Sequence, residues 1–483
     1  MYSNVYINYN AILPELIIGV TLFIAAVIDA FTNNKKWFVG LVTLIGMGTG
    51  IALSIYLWGN KFISFSQMVS LDEFSLLLFI TVLIAGFITV LVSLKYVDSI
   101  ESDAGHFYLL LLSSILGMMF LVSATNLIVL VLALELMSLS IYPLVGFTRD
   151  RLTSLEGSMK YLILGAFATA FMLYGIALIY STLGTTNFYT IANVLATSQN
   201  MTANIVMMAG VAMILIGFSF KVALVPFHAW TPDAYQGAPA PITGFMAAAV
   251  KAASFAAIIK VLIVVLNTFQ IPVSEAMWWL SAITMFLGNV IAVVQKNVKR
   301  MLAYSSIAHA GYIVVGLVPE TPYGMSSAVF YLISYTFTIV GAFAIITYLE
   351  KNDGTGTEIS DFSGLNNTHP MLSILMTIFM LSLAGIPPTA GFMAKFYVFS
   401  SAIKNGYIGL AIFGILTSVI SLYYYLRIVY AMYFEEPETK TTLPVPVGIS
   451  VGLLISLWGV IQLGILPADI MNLAVQSIQS LIH

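Results

Sequence analysis

Apolar runs long enough to cross a bilayer recur from one end of this chain to the other, and that property excludes most folds. They lie near 11–30, 37–59, 71–94, 106–122, 127–147, 158–182, 203–227, 240–266, 276–295, 302–318, 324–349, 371–399, 406–434 and 445–466. About 20 residues of helix span the roughly 30 Å of hydrocarbon in a bilayer. A hydrophobic fraction of 60% against 8% charged residues leaves no stretch for a soluble domain, so residues 1–483 are expected to form one membrane unit. In lipid every backbone hydrogen bond must close internally, and runs this long and evenly apolar do not suit barrel strands. The expected fold is therefore an all-α polytopic membrane protein of about fourteen transmembrane helices.

The segment Met1 to Asn10 carries no positive charge, and no small-residue cleavage site follows the first run, so that run is expected to be retained. Orientation follows from loop charge. With the N-terminus outside, inner loops hold Lys35, Lys36, Lys95, Arg149, Arg151, Lys296, Lys299, Arg300, Lys351 and Lys440, whereas outer loops hold Lys61 and Lys404. The positive-inside rule then puts both termini on the outer side. The net charge of -3 points to no particular partner, and no basic stripe suggests nucleic acid.

Cysteine is absent, which excludes disulfides and thiolate-held iron–sulfur clusters. The histidines His106, His228, His309, His369 and His483 show no close metal-ligand spacing. No strand is evident, so no Gly-rich phosphate loop after a strand is expected, and any electron transfer belongs to other subunits.

Two stretches, 203–236 and 371–404, are too long for one crossing and contain helix breakers. The first holds Gly217, Pro226 and Pro232; the second holds Gly385-Ile-Pro-Pro-Thr-Ala-Gly, with Pro387 and Pro388 near its middle. Proline removes a donor and clashes with the preceding turn, so each stretch must kink or interrupt. Paired interrupted helices are a pointer to inverted repeats in transporters. The expected organisation is helices 1–3 in 1–105, a first repeat half in 106–266, a second in 276–434, and a last helix with a short tail in 445–483. A structural kink beside a snorkelling lysine is the competing explanation.

The charges placed inside apolar runs carry the functional signal. Lys221, Lys251 and Lys395 would each cost about 2.5–3.5 kcal/mol at a bilayer centre. Glu135 lies about ten residues from either end of its run, out of snorkelling reach. A desolvated lysine gives up its proton more readily than an exposed one, so a row of such groups can pass protons. Lys160 stands at the inner end of the sixth run. His309, among hydroxyls in Tyr304-Ser-Ser-Ile-Ala-His-Ala-Gly-Tyr, suits either a relay or a core histidine. Lys260 and Arg427, nearer helix ends, are expected to snorkel. Asp233 is expected to cap the following helix, and a static Glu135 salt bridge is the alternative to a titrating one.

The block from Phe220-Lys-Val-Ala-Leu-Val-Pro-Phe-His-Ala-Trp-Thr-Pro-Asp to Ile242-Thr, with Lys251 beyond it, resembles membrane subunit N of proton-pumping NADH:quinone oxidoreductase, respiratory complex I. So do Asn297-Val-Lys-Arg-Met-Leu-Ala-Tyr-Ser-Ser-Ile-Ala-His and Gly385-Ile-Pro-Pro-Thr-Ala-Gly-Phe-Met-Ala-Lys. The resemblance implies an antiporter-like inverted repeat with two broken helices, and roles in proton translocation for Glu135, Lys160, Lys221, Lys251, Lys395 and His309. It also implies no cofactor in this subunit. Quinone, FMN and iron–sulfur clusters are expected in other membrane and peripheral subunits, beside neighbouring antiporter-like subunits in a prokaryotic cytoplasmic membrane. Subunit M carries glutamate where this chain has Lys395, and subunit L a long lateral helix. A subunit of a multi-subunit sodium/proton antiporter, or of a ferredoxin- or hydrogenase-linked complex, is the second reading. A membrane scaffold with no transport role is the third.

Overall fold

Backbone groups inside an apolar run have only one another to bond to in lipid, and helices follow from that requirement. The computed structural model describes residues 7–31, 37–99, 104–197, 204–264, 273–351, 353–436 and 444–482. Lys35, Lys36, Lys440 and His483 lie outside the described residues. The first helices are α1 (Leu13–Phe31), α2 (Trp37–Tyr56), α3 (Glu73–Ser99), α4 (Ala104–Ser123) and α5 (Leu127–Val145). Then come α6 (Leu152–Leu183), α7 (Phe188–Thr197), α8 (Ile205–Lys221), α9 (Thr231–Gly237), α10 (Ala240–Phe245) and α11 (Lys251–Val264). A π-helical turn, Met246–Val250, joins α10 to α11. The second part holds α12 (Val273–Val293), α13 (Val298–Leu317), α14 (Pro322–Leu349), α15 (Leu365–Thr368), α16 (Pro370–Ala384) and α17 (Ala390–Lys404). It closes with α18 (Ile408–Phe434), α19 (Val447–Ile465) and α20 (Pro467–Ile482).

Local chemistry sets the ends. Asn126, Asn204, Asn297 and Thr321 each accept a backbone N–H from the first turn of the helix they precede, as short polar side chains at N-caps do. Helix α16 stops at Gly385, whose φ of 87° is left-handed and open to glycine at little cost. Helix α8 ends differently. Ala223 takes a φ of 60° just after Lys221, a strained conformation for an alanine, held by the surrounding structure.

Eleven helices among the described residues are long and apolar enough to span a membrane. Three of the fourteen expected runs fall short of that measure, each for a visible reason. The run at 203–227 gives the 17-residue α8, and the run at 371–399 divides into α16 and α17 of 15 residues each. The run at 302–318 forms the 20-residue α13, whose apolar character is diluted by Lys299, Arg300, His309 and several hydroxyl residues.

Two expectations need correction. Strands are present: β1 (Phe62–Ser64) and β2 (Val69–Leu71) pair antiparallel. The C-terminal tail after the last apolar run is helical, because α20 buries Met471, Ala474, Ser477 and Ile478 on one side and packs on α3 and α14.

Helix α14 is the centre of the bundle. Its apolar window is wholly buried, and it touches α3, α10, α13, α16, α17, α19 and α20. A helix apolar on all sides is stable only where other helices surround it.

Candidate functional site

Two polar clusters sit inside the helices, one on α5, α6 and α8, the other around α13. In the first, Lys221 is the last residue of α8 and is 3% exposed. Its Nζ donates to Ser138 Oγ at 2.6 Å, and Ser138 donates onward to Leu134 O. The rings of Tyr142, Tyr161 and Phe220 lie 5.8, 5.5 and 5.9 Å from the ammonium, a favourable placement for a cation. Glu135 stands one turn before Ser138 on α5 and accepts from Thr169 Oγ1 at 2.5 Å. Among the described residues no ion pair joins Glu135 to a cation. Glu135 and Lys221 are therefore not locked in a salt bridge: Lys221 donates to Ser138, Ser138 donates to Leu134 O, and Glu135 accepts from Thr169.

In the second cluster, Lys251 opens α11 directly after the π turn and donates to both the backbone O and the Oγ of Ser306. One turn further along α13, His309 meets Tyr331 OH at 2.7 Å through Nδ1 and Tyr425 OH at 3.1 Å through Nε2. Tyr425 also bonds Ser305 Oγ. His309 is thus a connected histidine, with hydroxyls on both ring nitrogens. A further turn on, the Tyr312 ring lies 5.0 Å from Lys395 Nζ. Lys395 donates to Leu383 O at 3.0 Å, Ala384 O at 2.9 Å and Ser418 Oγ at 2.7 Å. Those carbonyls are the unsatisfied end of α16, where a cation is favoured. Gly391 allows α17 to come this close, since a Cβ there would lie 1.8 Å from Ser382 O. Lys395 also lines a crevice of about 660 Å³ with Ile386, Phe396 and Ser418.

Aromatic rings fill the space between the clusters. Tyr161 stacks on Trp230 at 4.2 Å, Trp230 lies edge-on to Tyr235 at 6.3 Å, and the Tyr235 hydroxyl faces Ser306. Trp230 is fixed by its Nε1 bond to Phe220 O at 3.0 Å.

Lys160 belongs to neither cluster. Its side chain is 43% exposed and pairs with Glu156 and Asp233, each at 2.6 Å. Asp233 was expected to cap a helix; instead it sits inside α9 and bridges Lys160 to Arg300. Its two carboxylate oxygens are thus each held by a cation, at 2.6 Å from Lys160 and from Arg300. Lys260 does not snorkel. It is 1% exposed and donates to Ser70 Oγ and Val122 O at 3.0 Å, with Asp72 Oδ2 at 3.7 Å. Arg427 is half-buried and donates to Gln295 O at 3.1 Å.

The sequence also understated one junction. Lys299, assigned to a loop, is buried in the first turn of α13, and Glu350 closes a knot with Lys299 at 2.8 Å and Arg151 at 3.1 Å. Glu350 also accepts from Ala240 N at 2.8 Å. Burial raises the Glu350 carboxyl, yet Lys299 and Arg151 more than offset it and hold it below the usual range. Tyr425 and Tyr331 were missed as well, whereas Ser306 and Tyr312 stand among the hydroxyls around His309; in a chain with 25 tyrosines, no single one outside that stretch carries a signal.

The family described as NADH:quinone oxidoreductase/Mrp antiporter, TM, matches residues 124–421. NADH-quinone oxidoreductase subunit N of Trichlorobacter lovleyi is 44% identical, over 98% of this chain and 97% of the relative. The chain belongs to the subunit N family. A chain of respiratory complex I from Thermus thermophilus with bound aureothin superposes with a TM-score of 0.82 at 32% identity, over 95% of this chain and 99% of that one. The Mrp complex from Dietzia sp. DQ12-45-1b gives 0.86 at 20% identity, over 99% and 100% of the two chains, which shows a shared fold. The residues of both polar clusters fall within the matched range, except Tyr425, which lies just beyond it.

Proposed function

We propose that this chain is the proton-translocating subunit N of a respiratory NADH:quinone oxidoreductase, and that Glu135, Lys221, Lys251, His309 and Lys395 carry the proton. Quinone, FMN and the iron–sulfur clusters belong to partner subunits; a neighbouring antiporter-like subunit and the lipid bilayer enclose this one. The observation that carries the reading is the run of contacts along α13: Lys251 to Ser306, His309 to Tyr425 and Tyr331, and Tyr312 to Lys395. Each of these side chains can accept or donate a proton and points into the bundle.

Fourteen crossings result when α13 and the two interrupted stretches, α8 with α9 and α16 with α17, are counted as spans beside the eleven apolar ones. Residues 106–266 and 276–434 are then the two repeat halves, each with one interruption and one deep lysine beside it. Arg151, Lys299, Arg300 and Lys351 gather on one face, which the positive-inside rule makes the cytoplasmic one of a prokaryotic inner membrane. Lys160 and Asp233 lie at that face and supply protons from the inner phase.

In this mechanism Glu135 holds Lys221 in its charged form while the two are close, and separation releases the lysine's proton toward Tyr161 and the second cluster. Energy from quinone reduction drives the separation. Moving one charge against 100 mV costs about 2.3 kcal/mol, and one unit of proton affinity is worth about 1.4 kcal/mol, so shifts of about two units suffice. The test is pumping by the intact complex in proteoliposomes. Lys221→Ala and Lys395→Ala should each lower protons moved per electron while assembly persists. Undiminished stoichiometry in an assembled Lys221→Ala complex overturns the assignment.

A further inference from the structure

A second buried titratable cluster lies apart from the α13 contacts, on the face that carries β1 and β2. Glu15 on α1, Asp72 just before α3 and Lys260 near the end of α11 are 0%, 2% and 1% exposed. Neither carboxylate oxygen of Glu15 has a hydrogen-bond partner among the described residues, and its carboxyl faces the Ser123 hydroxyl and the Lys260 ammonium. Asp72 is fully engaged, by Ser70 Oγ at 2.9 Å and by the backbone N and Oγ of Ser75 at 2.8 Å. Lys260 and Asp72 balance each other in charge. Glu15 has no cation left to balance it, and an isolated ionised carboxylate in such surroundings takes up a proton.

A way out is present. Asp72 lines a recess of about 500 Å³ together with Trp58, Asn60, Lys61, Glu73 and Gln476. The other titratable groups facing the cluster are Lys61, whose Nζ donates to Ser480 O at 3.0 Å, Glu73 at the recess wall, and Tyr189 on α7 beside Asp72. We propose that Glu15, Lys260 and Asp72 form a proton-binding site that holds one exchangeable proton and exchanges it with the aqueous phase at the β1–β2 face. Release proceeds in balanced steps. Lys260 gives an N–H proton to the Asp72 carboxylate and takes the O–H proton of Glu15. Asp72 then gives its proton to water in the recess as hydronium, leaving ionised Glu15 and Asp72 around the Lys260 ammonium. Lys251 and Lys260 are nine residues apart on α11, about 13.5 Å along the axis, so the site adjoins the proposed relay without sharing a side chain with it.

Infrared difference spectra of the purified intact complex, recorded during a pH step and repeated in heavy water, test this site. A protonated-carboxyl band that shifts in heavy water should be present in the wild type and missing in Glu15→Gln. Asp72→Asn, which leaves the Lys260 ammonium for Glu15 to balance, should weaken or abolish the band. Glu15→Asp, which retains the acid, should move the band without removing it. A spectrum that Glu15→Gln leaves unchanged overturns the site, and so does a band that Asp72→Asn leaves at full strength. The site rests on the proposed function only for its place in a pump. Lys221→Ala should lose pumping yet retain the Glu15 band, so failure of one reading is distinguishable from failure of the other.

Discussion

At the scale of single residues, each deep lysine shows how a buried cation is made tolerable. Lys395 takes two carbonyls from the end of α16, Lys251 takes Ser306, and Lys221 takes Ser138 and a ring of aromatic faces. None of these partners is an acid, so none fixes the lysine in its charged form as a salt bridge would. Hydrogen bonds to carbonyl and hydroxyl oxygens satisfy the ammonium at moderate strength. Tyr425 is the residue-scale test of the connection, because its hydroxyl bonds both His309 and Ser305. Tyr425→Phe keeps the ring and deletes the bridge. Proton pumping by the reconstituted complex should slow by about a hundredfold, the lower edge of what a lost proton-transfer group costs, with the assembled amount unchanged. His309→Phe should match it, and the double variant should add little, since both changes cut one path.

At the scale of elements, the interruptions place lysines where continuous helices could not. Because α16 stops at Ala384 and α17 begins at Ala390, carbonyls that would otherwise be spent inside the helix face Lys395. Gly391 sits at the tightest point of that approach, with room for hydrogen alone. Gly391→Ala should push α17 off α16, at about 1–3 kcal/mol for overpacking. The expected result is a lowered unfolding temperature of the purified complex together with reduced pumping. Unchanged values for both would mean that the two segments do not need this contact. Proline and glycine content marked both interruptions in the sequence. It could not show that their loose carbonyls would be used as ligands, because that depends on which helix packs across the gap.

At the scale of the whole molecule, Glu350 ties distant parts of the chain together. Arg151 precedes α6, Lys299 begins α13, Ala240 begins α10 and Glu350 follows α14, so one carboxylate sets the register of the helices that bear Thr169, His309, Lys251 and Tyr331. Removing one partner from such a buried knot costs about 3–5 kcal/mol, and Glu350→Gln should lower thermal stability accordingly. The pH dependence has a definite sign. The Glu350 carboxyl is held below its unfolded value, so its stabilisation is complete above the ordinary carboxylate range and is lost as pH falls through the lower folded value. Unfolding temperature measured from neutral to acid pH should therefore fall more steeply for the wild type than for Glu350→Gln. Parallel curves would assign acid sensitivity to other groups.

Apolar run length determined the all-α membrane fold from sequence alone, because lipid leaves a backbone no alternative. Charge stranded inside those runs likewise singled out Glu135, Lys221, Lys251 and Lys395, since burial makes each one costly. Glu15 went unremarked near the start of its run, since nothing along the chain pairs it with Asp72 and Lys260, which lie 57 and 245 residues away. Lys299 and Lys260 looked like interfacial charges, and Glu350 went unremarked, for the same reason: a position near the end of a run does not reveal what packs over it. Partnership between side chains is a property of helix packing, and only the tertiary structure decided which hydroxyl, carbonyl or carboxylate each buried charge would meet.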